Sequence, residues 1–137
     1  MDCRHPLAAL ILVTVTACFL SCATSNPNLA RVLTSIAVTP EFADAQTYPL
    51  GQVVFKATGT YSLAPLTGPV TSAPPYLGQF SITNSGTTIA TIIATGNGTA
   101  TVQCAAGASG TVIVAASAYA NNGTTTVVSG NAQLTCP

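Results

Sequence analysis

Gly51-Gln-Val-Val-Phe-Lys-Ala-Thr-Gly-Thr-Tyr61 decides the fold. Val53, Phe55, Ala57 and Gly59 fall on one side of this stretch, and Val54, Lys56, Thr58 and Thr60 on the other. Only an extended strand sends alternate residues to opposite faces, so the segment predicts a strand with one apolar face. The same period recurs outward in both directions. Ile36 and Val38 alternate with Ser35, Ala37 and Thr39 before Pro40 stops the run, and Phe80 and Ile82 alternate with Gln79, Ser81 and Thr83. Ala100, Val102 and Cys104 alternate with Thr99, Thr101 and Gln103, and Ala132, Leu134 and Cys136 form a last such series. Ile89 to Ile93 is apolar on both faces, which leaves its register open, and the near-continuous run Val112 to Ala118 predicts a central strand covered on both sides. Asn97-Gly98 and Asn122-Gly123 supply residues that tolerate positive φ, as tight hairpins require, and Gly107-Ala-Ser-Gly110 separates another pair of strands. About seven short strands in roughly 105 residues predict an all-β antiparallel sandwich.

A different pattern occupies the first 22 residues. Arg4 gives a short basic start, Leu7 to Leu20 an apolar run, and small residues follow, as in an export signal. The run is shorter than the ~20 residues that a membrane-spanning helix needs. Val15-Thr16-Ala17-Cys18 and Phe19-Leu20-Ser21-Cys22 both resemble the bacterial lipobox, in which a cysteine becomes the lipidated N-terminus. Cleavage before Cys22 leaves the polar segment Thr24-Ser-Asn-Pro-Asn28 directly after the lipid, whereas cleavage before Cys18 leaves Phe19 and Leu20 exposed. Cys22 is therefore the expected lipid site, with Cys18 the alternate and unlipidated secretion a further alternative. The expected organisation is a signal peptide over 1–22, a tether over 23–31 and one domain over 32–137. At roughly 3.5 Å per extended residue the tether reaches about 30 Å.

Only 4% of the chain is charged, and after residue 22 the charged side chains are Arg31, Glu41, Asp44 and Lys56. Two cations cannot displace the counterions that nucleic-acid binding requires, so no nucleic-acid partner is expected. Electrostatic attraction to an anionic membrane is unexpected for the same reason. The single histidine, His5, lies in the signal, so no serine of the exported part has an imidazole base, and no His–Cys cluster offers itself to a metal. No enzyme activity, cofactor or metal is expected. Abundant Val, Ile and Thr argue for a packed core rather than disorder.

Cys104 and Cys136 both fall on apolar strand faces of an exported chain. A disulfide between them is expected, with a pair of buried free thiols the alternative. Leu63-Ala-Pro-Leu-Thr-Gly-Pro-Val-Thr-Ser-Ala-Pro-Pro-Tyr76 is the one long loop. Proline blunts a sheet edge because it cannot donate a ladder hydrogen bond. Long loops on rigid scaffolds also carry binding, and Tyr61, Leu66 and Tyr76 are the contacts expected in that case.

Four segments taken together resemble the bacterial immunoglobulin-like group 2 (BIG2) family: Leu33-Thr-Ser-Ile-Ala-Val-Thr-Pro40, Gly51 to Tyr61, Thr88-Ile-Ala-Thr-Ile92 and Gly110-Thr-Val-Ile-Val-Ala-Ala116. The resemblance spans residues 33 to 136. The family usually carries a tryptophan on its third strand, where this chain has Phe80, and a short polar connection where this chain has the proline-rich segment. The resemblance implies an Ig-like sandwich acting as a non-catalytic binding or adhesion module. With the signal, it implies a lipoprotein of the bacterial cell envelope, held to the membrane by its lipid and facing a protein or glycan ligand. Self-assembly through open sheet edges is the alternative, since bare edges pair readily with other chains.

Overall fold

The structure, a computed structural model, describes residues 30–84 and 88–137. The expected signal over 1–22, with Cys18 and Cys22, and the tether as far as residue 29 lie outside the described residues.

Among the described residues nine strands follow one another: β1 (Leu33–Thr39), β2 (Phe42–Asp44), β3 (Gln52–Tyr61), β4 (Thr67–Pro69), β5 (Gln79–Thr83), β6 (Ala90–Gly96), β7 (Thr99–Cys104), β8 (Gly110–Tyr119) and β9 (Val127–Cys136). They form two sheets, β1-β3-β7-β6 with β4 added to β3, and β2-β9-β8-β5. Every pairing is antiparallel except β2 with β9. With β1, β3, β7 and β6 in one layer and β9, β8 and β5 in the other, the strand order is that of an immunoglobulin sandwich. The fold is an Ig-like all-β sandwich.

The period of two read from the sequence is what fills its centre. Val53, Phe55 and Ala57 of β3 and Val102 of β7 face Val112, Val114 and Ala116 of β8 and Leu134 of β9, all buried. Phe80 and Ile82 of β5 pack against this cluster while still partly exposed. On the outer face of the first sheet, Thr39, Lys56 and Thr99 stand in one cross-strand row, with Thr58 and Thr101 in the rows on either side. Threonine hydroxyls around the charge of Lys56 thus wet that surface.

Three expectations need correction. The run Val112 to Ala118 lies centrally, between β9 and β5, but only one of its faces is covered: Val112, Val114, Ala116 and Ala118 are buried while Ile113 is exposed. A two-layer sandwich leaves the outer face of each sheet in water, whatever side chains it carries. The proline-rich segment is not a structureless loop, because Thr67, Gly68 and Pro69 pair with Thr60, Gly59 and Thr58 of β3. Asn97-Gly98 makes the expected tight turn, with Gly98 at φ +71°, but Asn122-Gly123 lies within the longer connection between β8 and β9. The open register of Ile89 to Ile93 is settled by a shift between Ile92 and Ala94, which leaves Ile93 exposed.

The two layers also meet at one edge, where β1 crosses beside β9. There Gly130 lies against the backbone of Ile36, and a Cβ at residue 130 would collide with the Ile36 carbonyl. Backbone on both sides leaves nothing flexible to move aside. Gly130→Ala is therefore expected to destabilise the domain by about 1–3 kcal/mol. The midpoint of urea unfolding measures this, and an unchanged midpoint would show that β1 can step away from β9.

Candidate functional site

The domain has two distinct ends. Arg31 brings the chain in at one of them, beside the connections that follow β3 and β8. There the amide of Leu33 donates to the carbonyl of Ala120 at 2.7 Å and the amide of Tyr119 to that of Tyr76 at 2.8 Å. The opposite end gathers the β2–β3 and β7–β8 connections with Pro137, and a cleft of about 330 Å³ lies between them.

Ala45, Gln46, Tyr48 and Gly51 form one wall of the cleft, Ala105 to Ala108 another, and Cys104 and Pro137 line it between them. The first wall is two 3-10 turns, Ala45–Thr47 and Pro49–Gly51. Asp44 starts it as an N-cap, its Oδ1 accepting from the amide of Gln46 at 3.0 Å, while the Thr47 hydroxyl donates to the Asp44 carbonyl at 2.7 Å. Leu50 and Gly51 then take φ of +57° and +64°. Glycine adopts this state freely, but for leucine it is costly. The Leu50 carbonyl accepts from Gln103 Nε2 at 3.4 Å, and its side chain projects into solvent at 82% exposure. In the second wall the amide of Ala108 donates to the carbonyl of Ala105 at 3.1 Å, and Gly107 sits at φ +71°.

No Asp, Glu, Lys, Arg or His side chain lines this cleft. It offers an aromatic ring, one primary amide and backbone peptide groups. Such a surface suits a neutral, hydrogen-bonding ligand such as an oligosaccharide or an uncharged peptide segment.

Beside the cleft, Cys104 and Cys136 are joined by the expected disulfide, with S–S 1.93 Å and Cα–Cα 5.8 Å. It links the end of β7 in one sheet to the end of β9 in the other, 32 residues apart.

The three contacts expected of the proline-rich segment separate. Leu66 projects into solvent, but Tyr61 and Tyr76 are buried, at 4% and 8% exposure. Their rings pack together with centroids 5.1 Å apart. Arg31 covers Tyr61, its Cζ 3.4 Å from the ring centroid. The guanidinium donates to the Leu63 carbonyl at 3.2 Å and also to that of Pro65, and the Tyr76 hydroxyl donates to the Arg31 carbonyl at 3.1 Å. The two tyrosines therefore fasten the segment to the domain, because burying the ring outweighs exposing it when the hydroxyl finds a partner. Arg31, read as the last tether residue, is part of the folded domain.

Comparison with known proteins finds no matching family model and no significant match among curated proteins or solved structures. Among the described residues no helix is long and apolar enough to cross a membrane.

Two measurements follow from this geometry. Replacing Cys104 and Cys136 together by alanine is expected to lower stability by roughly 3.5–4 kcal/mol, the chain-entropy value for a loop of this length. Calorimetry with and without reductant checks it. Burial pushes the Tyr61 phenol above its ordinary value, with Tyr76 adding to the shift and Arg31 opposing it. The stabilising effect of keeping this phenol neutral is complete below the unfolded tyrosine value of about 10 and is lost as pH rises through the higher folded value. Arg31→Met should move the Tyr61 ionisation still higher and cost about 1–3 kcal/mol of stability, read by tyrosinate absorbance and urea unfolding.

Proposed function

We propose that this chain is a non-catalytic, lipid-anchored Ig-like module of the bacterial cell envelope that binds a protein or glycan ligand. The observation that carries the proposal is the separation of the two ends of the domain. The chain comes in at Arg31, and the cleft with Gln46 and Tyr48 lies at the other end, next to the strained, exposed Leu50. An anchor at Cys22, or at Cys18 in its place, would hold the first end near the membrane and present the cleft outward. Membership of the BIG2 group belongs to the same proposal. It is supported by the four segments quoted above, which fall on β1, β3, the start of β6 and β8.

A second reading, assembly of copies through sheet edges, draws on one observation. β6 is an edge strand of its sheet, and its sequence Ala90-Thr-Ile-Ile-Ala-Thr-Gly96 contains neither charge nor proline. Sedimentation over a wide concentration range separates the readings, and a monomer throughout would remove the second.

Intact mass of the chain isolated from its native membrane tests the anchor. The expected product starts at Cys22 with acyl chains attached and gains two hydrogens on reduction. An unmodified, signal-free chain in the soluble fraction would overturn the anchored reading. For the ligand, a panel of neutral oligosaccharides should yield a binder whose affinity falls at least roughly tenfold in Tyr48→Ala and is unchanged in Leu66→Ser. Equal affinity in parent and Tyr48→Ala would exclude the cleft.

A further inference from the structure

The end of the domain at which the chain comes in carries a rim of exposed apolar side chains. Leu66 is 60% exposed, Leu77 48%, Tyr119 39% and Val127 57%. Tyr119 and Val127 are cross-strand partners at the extremities of β8 and β9, and Leu77 joins them around one shallow depression. Leu66 stands apart from this group, on the segment that feeds β4. Leu77 has φ +49°, a state that leucine adopts only at a cost, yet its side chain gains no burial from it. Charge divides the same way. Arg31 lies at this end, whereas Glu41 precedes β2 and Asp44 ends it, and β2 pairs with Gln133 to Thr135 of β9 toward the far end.

We propose that this end seats on a lipid surface, with Leu66, Leu77, Tyr119 and Val127 entering the headgroup layer. The inference rests on the anchored reading above. A tether of about 30 Å from Cys22 confines the domain to the membrane without orienting it. The rim supplies the orientation. Tyrosine and aliphatic side chains favour the membrane interface, where the phenol stays wet and the apolar atoms leave water. A carboxylate would oppose approach to an anionic leaflet, and both acids lie away from the rim. The far end also exposes apolar residues, Phe42 and Leu50, but beside Glu41 and Asp44 and away from the anchor.

The test uses the full chain from its native membrane, placed in phosphatidylcholine nanodiscs whose headgroups carry a nitroxide. Signals of Leu66, Leu77 and Val127 should lose most of their intensity, while those of Leu50 and Ala106 should keep theirs. In Leu66→Ser/Leu77→Ser the loss should fall at least about threefold, with the chain still co-eluting with the discs. Equal loss at both ends, or none at the rim, would overturn the proposal. Co-elution and acyl mass report separately on the anchor, so a bound chain without rim quenching rejects the docking alone. Changes at the rim that follow protein concentration in lipid-free solution would assign the surface to a second copy and overturn it as well.

Discussion

A thin core constrains everything else in this molecule. The space between the sheets is lined largely by alanine and valine, and Phe55 is the largest side chain fully enclosed there. Small side chains let the sheets approach closely but bury little apolar area each, so the middle of the sandwich contributes less than a leucine- or phenylalanine-rich core would. The ends must therefore be closed by other means, and they are closed differently. A covalent bond between β7 and β9 holds one end. At the other, Tyr61 packs at a tilt against Tyr76 and lies under Arg31, which replaces aliphatic packing with aromatic area and a fixed cation.

The same constraint explains the close approach at Gly130. With so little side-chain volume between the layers, β1 can lie directly against β9, and only a residue without Cβ admits the Ile36 carbonyl. It also explains where polarity is placed. The outward faces need little charge because threonine hydroxyls satisfy water, and two of the four charges of the domain have specific places: Asp44 caps a turn and Arg31 clasps a loop.

The main strands were legible because each carries its own local signal. Alternation in Val53 to Gly59 gives both the strand and its buried face, and Asn97-Gly98 names its turn. β2 carries no such signal, since it is three residues long and its partner, β9, lies some ninety positions further along the chain. β4 was hidden in a segment whose prolines argue against a strand, and it exists because β3 offers a ladder beyond the tip of the β6–β7 hairpin. An apolar run such as Val112 to Ala118 reports what could be buried but not which face is, so Ile113 was misplaced. The disulfide followed from two cysteines on apolar faces. The cleft did not, because alanine, glycine and backbone shape most of it and only Gln46 and Tyr48 bring functional groups. The burial of Tyr61 and Tyr76 was equally silent, since tyrosine serves surfaces and interiors alike.

The parallel pairing of β2 with β9 has a mechanical meaning. Tension between residue 31 and Pro137 runs along the strand axes, so the two strands are drawn past each other and their hydrogen bonds are loaded together in shear instead of being unzipped singly. Force arriving at Cys136 also divides at the disulfide, passing into β7 as well as β9. The 31 residues enclosed between the two cysteines are then shielded from extension, and load is shared by both sheets.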